Sequence, residues 1–370
     1  AGPLSLTAIS GAPTAGDISP GVADAFRLPL HSGTLDAGQL TLGPWRNSSI
    51  GAATMRLSPQ SGSKTELVSG FSGIDPAALA GIGSLSLPLY AEYALDQPTW
   101  SEWWRFHAGP DHRHGFYASS GLTWSQLSFS AEWKDYHRML LGVNDPPSLV
   151  REQPYLLLNR VTHVLNANDE RGIQLEGTWR QPGWGDLTLN RSNAEGVLVA
   201  NRPPREFEER FAEIHAAPAA WSWLDATLFA DRGRDDFVGA EHRQTYGGMA
   251  RTSLPAGFGS ELDLERQSGR QTGYAFVEHA ASFVVRHPRW GSAGVTWQRS
   301  TNPTEARPGA DLKIFHHRNW WGGTLSTHLA ERVDATLFAG QRRKGLACTA
   351  GTCYAVEALE GVEMRVLARF

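Results

Sequence analysis

The sequence predicts an all-β chain folded as a large antiparallel up-and-down transmembrane β-barrel of roughly 18 to 24 strands. Three observations carry that expectation. Apolar and polar residues alternate with a period of two in segment after segment; tight turns and longer polar loops separate the segments; and the last ten residues form an amphipathic strand with an aromatic end.

The alternation is clearest from Gln126 to Tyr136, where Leu127, Phe129, Ala131 and Trp133 point one way and Gln126, Ser128, Ser130, Glu132 and Lys134 the other. Successive side chains of a strand leave opposite faces, so this is a strand with one polar face. Ile173, Leu175, Gly177 and Trp179 split in the same way from Gln174, Glu176, Thr178 and Arg180. The turn Gln181 to Gly185 and the return from Asp186 to Asn190 complete a hairpin. Further strands are read at Leu85 to Leu95, Leu224 to Asp231, Arg243 to Leu254, Ser260 to Gln267, Tyr274 to Arg286, Ser292 to Arg299, Trp321 to Leu329 and Val333 to Arg342. Glu206, Glu208, Glu209 and Arg210 fit either a solvated strand face or a short helix. Leu224 to Ala230 and Val333 to Ala339 are nearly identical; a solenoid repeat recurs many times, so these are two equivalent strands after short turns.

Pro255 to Gly259 and Ala330 to Arg332 are short connections, whereas Arg232 to His242 and Arg343 to Glu360 read as long polar loops. Short turns at one end and long loops at the other are the habit of outer-membrane barrels. The connections at His287 to Gly291 and Thr301 to Gly309 break that alternation, so one strand near them is expected to be misassigned.

Composition agrees with a β-rich chain. Of 370 residues, 41% are hydrophobic and only 19% charged, with 39 Gly and 14 Trp, and the expectation is a single domain over residues 1–370. A net charge of -4 offers no basic footprint for a phosphate backbone, which excludes nucleic acid as a partner. No uninterrupted apolar run is long enough for a transmembrane helix; the richest, Gly81 to Leu95, is broken by Ser84, Ser86, Pro88 and Glu92. Ala1 to Ser10 lack a basic leader and already alternate, so they read as strand in a mature or truncated chain.

Cys348 and Cys353 flank a turn-like stretch and are spaced for a local disulfide in an oxidising compartment. Zinc would need two more soft ligands, and haem attachment a Cys-x-x-Cys-His run that is absent. No nucleophile elbow, phosphate loop or His-Glu-x-x-His helix occurs, so no catalysis, metal or cofactor is expected. His107, His112, His114, His316 and His317 read as solvated loop histidines. Glu261, Asp263 and Glu265 share one strand face behind Leu262 and Leu264. Glycosidase carboxylates must oppose each other across a cleft, so these three are expected to line a hydrated lumen facing Arg of neighbouring strands.

The final strand carries an all-apolar row, Val362, Met364, Val366, Ala368 and Phe370, against a lumen row of Glu363, Arg365 and Arg369. It resembles the C-terminal assembly signal of outer-membrane barrels, which implies recognition by the barrel insertion machinery. Trp100, Trp103, Trp104, Trp124, Trp184, Trp221, Trp223, Trp290, Trp320 and Trp321 fall mostly at strand ends, where aromatic rings suit the headgroup level.

A second likeness runs through Ala131 to Tyr136, Asn144 to Glu152, Leu158 to Arg160 and Thr162-His163, and extends to the Cys348 to Cys353 loop and the last strand. On these residues the chain resembles an uncharacterised family of bacterial outer-membrane barrels. The resemblance implies a fold and a location but no activity, and the N-terminal strands usual in that family are expected to be missing from this sequence. The function expected is a porin-like channel, or a barrel scaffold for an envelope partner or plug, embedded in outer-membrane lipid and non-catalytic. The alternative is a secreted all-β carbohydrate-binding or carbohydrate-active protein that uses Trp-rich rims.

Overall fold

The alternating segments form strands, and the fold is all-β, antiparallel and up-and-down, with nineteen strands of sheet and a separate two-stranded hairpin among the described residues. The structure is a computed structural model, and it describes residues 4–11, 33–59, 65–96, 113–139, 151, 153–163, 169–196, 204–271, 273–305, 317–330, 332–349 and 352–368. Contacts divide the chain into two compact units, one of residues 1–150, 164–177 and 191–206, the other of residues 151–163, 178–190 and 207–370.

The first unit contains β1 (Leu4–Gly11), β2 (Gly33–Trp45), β3 (Ser48–Pro59), β4 (Thr65–Ile74), β5 (Leu85–Ser86), β6 (Leu89–Asp96), β7 (His114–Trp124) and β8 (Leu127–His137). Each pairs antiparallel with the next, except that β4 pairs with β6 and the short β5 with β7. The segment read as one strand from Leu85 to Leu95 is therefore two pieces. Pro88 has no N–H for a ladder, and its carbonyl instead accepts from the Gly121 N–H at 2.8 Å. A short helix, α1 (Pro76–Ala80), follows β4 and is capped by the Asp75 carboxylate. Arg46 and Asn47, with φ of 45° and 63°, turn β2 into β3, because a two-residue hairpin needs left-handed backbone to match the twist of its strands.

The strands β9 (Asp169–Gln181) and β10 (Gly185–Gly196) have a part in each unit. The second unit continues with β11 (Glu206–Ala216), β12 (Leu224–Asp235), β13 (Ala240–Ser253), β14 (Gly259–Gln271), β15 (Tyr274–His287), β16 (Gly291–Ser300), β17 (Arg318–Ala330) and β18 (Val333–Arg342). The hairpin β19 (Gly345–Thr349) and β20 (Thr352–Val356) comes next, and the final strand β21 (Leu359–Ala368) pairs with β18. A second short helix, α2 (Leu156–Arg160), belongs to this unit.

Three sequence expectations change here. Glu206 to Arg210 form strand and no helix, because Phe207 and Phe211 give β11 a buried row. Arg232 to His242 is no long loop: β12 runs to Asp235, which pairs with Ala240 across a tight turn and a bulge. The parity of connections is regular. β11 and β12, β13 and β14, β15 and β16, and β17 and β18 are joined at one edge, the short-turn edge, and β12 and β13, β14 and β15, β16 and β17, and β18 and β21 at the opposite edge.

Register makes the two faces of this unit explicit. The cross-strand row Ala216, Ala226, Ala250, Leu262, Phe283, Val295, Gly323, Ala339 and Val362 runs from β11 to β21 without a polar residue. Its large members are exposed, from 42% for Leu262 to 70% for Val362. The neighbouring row of Ile214, Leu228, Gly248, Leu264, Ala281, Trp297 and Trp321 is apolar as well. On the reverse face, Glu209, Asp231, Arg243, Thr245, Glu265, Gln267 and Glu278 are buried. A soluble sheet buries its apolar face and wets its polar one. This unit does the opposite.

Candidate functional site: a segment seated on the charged face

The buried charges of the second unit hold Arg151 and residues 153–163, which lie across β11 to β15. The helix α2 begins at Tyr155, whose side chain makes no capping bond. The Glu265 carboxylate of β14 caps it instead, accepting from the Leu156 N–H at 2.6 Å and the Leu157 N–H at 2.7 Å. Two of the four N–H groups that a helix start leaves unpaired are thereby satisfied by one carboxylate.

Beyond the helix, Arg243 of β13 is the hub. It donates to Asp231 at 3.1 Å, to Glu209 at 2.5 Å and to the Val161 carbonyl at 2.9 Å. One guanidinium thus joins two strand carboxylates to the backbone of the segment, a geometry that its fixed fork of donors permits. His163 Nδ1 lies 2.9 Å from Asp235 Oδ2, and its ring stacks on Phe207 with centroids 4.3 Å apart.

An aromatic seat lies beneath the helix start. Tyr155 stacks on Phe229 at 3.6 Å and donates to Glu213 at 2.6 Å. Burial, then the bond to Glu213, raises the Tyr155 pKa, so the hydroxyl stays a donor. Phe229 can lie flat across the strand because its partner is Gly247, where an added Cβ would sit 2.8 Å from the ring. Leu157 and Leu158 are buried with the seat.

A second arginine closes the far side. Arg343, just after β18, donates to both Glu278 oxygens at 3.0 and 2.6 Å and to Glu305 at 2.9 Å. Burial works against its charge, but the two carboxylates hold its pKa above the ordinary guanidinium value. Arg160 at the end of α2 feels the same carboxylates, Glu278 and Glu305, together with Glu265, but too weakly to offset its burial. Its Nη1 is buried without a partner, and burial first and Arg343 second pull its pKa down to about 10.

Toward the short-turn edge the same face is solvated. Glu261 lies between Arg251 at 2.7 Å and Arg286 at 3.6 Å, and His215 bridges Asp186 and Asp225. A cavity of about 550 Å³ opens there, bordered by Arg286, His287, His328 and Asp334.

The residues singled out in the sequence divide accordingly. Glu261 faces two arginines of neighbouring strands, while Glu265, four residues on, is dry and bonded to backbone. Asp263 shares their face between the two. Val362, Met364, Val366 and Ala368 are exposed on the apolar face of β21, and Glu363 pairs with Arg342 and Arg365 on the other. Cys348 and Cys353 are directly opposite in the β19–β20 hairpin. Arg369, Phe370, Trp100, Trp103, Trp104, His107, His112, His316 and residues 144–150 and 152 lie outside the described residues. His114 and His317 are described, in β7 and before β17, and among the described residues no cluster fit for a metal ion forms. Sequence reasoning missed the seated segment. The one signal was Tyr155-Leu-Leu-Leu158, an apolar run too short to span and placed between polar stretches.

No protein-family model matches the chain, and no curated protein matches its sequence. Among solved structures, a mutant of the ferric enterobactin receptor PfeA from Pseudomonas aeruginosa superposes with a TM-score of 0.43 at 10% identity, over 93% of this chain and 63% of the receptor. The copper transporter OprC gives 0.36 at 10% identity over 98% and 75%, and a triple mutant of the Rhodopseudomonas blastica porin gives 0.33 at 10% over 86% and 92%. The chain thus spans less than two thirds of the receptor. Likeness at this level carries no functional argument, and the physical case rests on the faces of the strands.

Proposed function

We propose that the chain is a non-catalytic, porin-like β-barrel of a bacterial outer membrane, with its passage obstructed at rest by residues 151–163. The observation that carries this reading is the unbroken apolar row over nine strands, backed by a face of buried charge. The outward positions from Trp321 to Leu329 cover roughly 27 Å of strand, near the ~25 Å apolar band of such barrels. Trp184, Trp221, Trp223 and Trp290 cluster at the short-turn edge, at the level of one interface. Closure of the sheet is part of the proposal, since an open edge in hydrocarbon would leave a line of unpaired N–H and C=O groups.

The surface does not favour a secreted carbohydrate binder. Its exposed tryptophans are strung along an edge and an outer face, and neither the cavity near Asp36 nor the one near Arg286 is bordered by one of the described tryptophans. The test is migration in SDS before and after boiling, with solubility assayed in and out of detergent. A folded barrel resists SDS until boiled; a chain that stays monomeric in water without detergent would overturn the reading. In planar bilayers the wild type is expected to conduct little, and its openings to select weakly between ions, because the polar face carries both signs.

A further inference from the structure

The outward face of the second unit changes character abruptly toward the long-loop edge. Directly above the apolar row that ends in Trp297 and Trp321, the next row reads Ala212, Ala230, Tyr246, Arg266, His279, Arg299 and Asn319. One row further, Arg210 stands directly opposite Arg232, followed by Gln244, Ser268 and Val277. Neither row holds a carboxylate. Arg210, Arg232, Arg266 and Arg299 are all exposed.

Like charges placed directly opposite on one face repel, and sequence rarely tolerates them without a counter-charge. Arg210 has Glu208 at 2.6 Å, and Arg266 leans on the Tyr246 ring, its guanidinium 5.6 Å from the centroid. Arg232 and Arg299 make no ion pair with any described residue. Each outward step along a strand rises about 7 Å, so these rows sit one and two steps above the apolar band, at headgroup depth. Tyr246 and Trp321, 45% and 63% exposed, mark the same boundary.

Resting on the membrane reading above, we propose that Arg210, Arg232, Arg266 and Arg299 form a belt that binds phosphate-bearing lipid headgroups of the leaflet on the long-loop side. Phosphate oxygens suit the guanidinium fork, and two adjacent arginines can share one phosphate. Anchored in this way, the belt would fix the depth of the barrel in the leaflet.

The experiment uses the full chain in nanodiscs of phosphatidylcholine carrying a minor fraction of phosphatidic acid, with the retained lipids counted by native mass spectrometry. Each arginine near an anionic surface is worth roughly a fivefold preference, so at least a tenfold enrichment of phosphatidic acid is expected for the wild type. Combined Arg232→Gln, Arg266→Gln and Arg299→Gln should bring enrichment to about unity, whereas the matching Lys substitutions keep a part of it. Should the Gln variant not fold, raising NaCl on the wild type supplies the second measurement, and enrichment must fall with salt. Equal retention of both lipids by inserted wild type overturns the belt while leaving the barrel intact, as does enrichment indifferent to salt. Capture of an acidic peptide in place of phosphatidic acid also overturns it. A chain that never inserts into nanodiscs overturns both readings.

Discussion

The polar face of the second unit has two halves built from the same residue types with opposite physical consequences. Toward the short turns, Arg251, Glu261 and Arg286 pair in contact with solvent, where screening and side-chain entropy leave an ion pair worth about 0–1 kcal/mol. Toward the long loops, Arg243, Asp231 and Glu209 pair in a dry network under residues 151–163, none of them more than 5% exposed. Desolvation there makes the pairing nearly obligatory rather than strongly stabilising, because any charge left alone is costly. Geometry, and not net charge, therefore decides where the segment sits.

Removing one arginine from each half should separate the two most widely. Arg243→Met leaves Asp231 and Glu209 buried without their partner and frees the Val161 carbonyl, and a loss of about 3–5 kcal/mol is expected. Arg251→Met, with Glu261 still beside Arg286, should cost no more than about 1 kcal/mol. Urea unfolding in a detergent or lipid that supports reversible folding measures both; equal costs would erase the distinction.

The apolar face supplies the next contrast. Leu325, midway along the outward stretch from Trp321 to Leu329, is 52% exposed, which in water would make a charge there harmless. In the bilayer reading Leu325→Lys places a cation against hydrocarbon at an expected cost of about 2–4 kcal/mol near the midplane. A cost near zero in lipid would remove the membrane from the argument.

Glu265 and Glu261 then separate the halves by function. Glu265→Ala orphans the Leu156 and Leu157 amides, for about 1–3 kcal/mol of lost seating, and should raise single-channel conductance and expose residues 151–163 to protease. Glu261→Ala should leave both readouts unchanged. If the two variants conduct alike, the segment does not obstruct the passage.

These carboxylates show how far the sequence was legible. Period-2 alternation placed Glu261, Asp263 and Glu265 on one face behind Leu262 and Leu264, and the strand β14 has them there. Their neighbours were illegible, because Glu265 meets its partners 109 and 108 residues away in sequence, and no local pattern encodes that. Pairing across β11 to β21 followed from alternation and turns, but the lengths of β12 and β13 did not. Arg232 and Arg234 read as loop because outward residues turn polar above the apolar band while the strand goes on. The same outward change hid the arginine belt.

Arg160 offers an effect of the opposite sign. Its Nη1 has no partner and its charge faces Arg343, so it is the frustrated member of the covered half. Arg160→Met keeps the length of the side chain and removes the charge, and should tighten the segment by about 1 kcal/mol. Slower hydrogen exchange at Leu157 to Asn159 would register it; faster exchange would mean that the charge is satisfied after all.

The smallest effect concerns how the covered half is held from outside. The hairpin β19–β20 lies beside α2, and Gly345 at its start contacts Arg160. Its register sets Cys348 opposite Cys353, and directly opposed Cα atoms of an antiparallel pair are roughly 4.5–5.5 Å apart, within the span a disulfide bridges. We expect the two thiols to be oxidised in the isolated protein. The closed loop is small and sits outside the nineteen-strand sheet, so reduction should leave global unfolding unchanged while speeding exchange in β19, β20 and the end of α2. Mass spectrometry of protein isolated without reductant decides the first part, and two free thiols there would refute the pairing. If the thiols are oxidised but reduction leaves exchange at Arg160 untouched, the hairpin does not brace the segment, and the side-chain network of Arg243, Glu265 and Arg343 holds it alone.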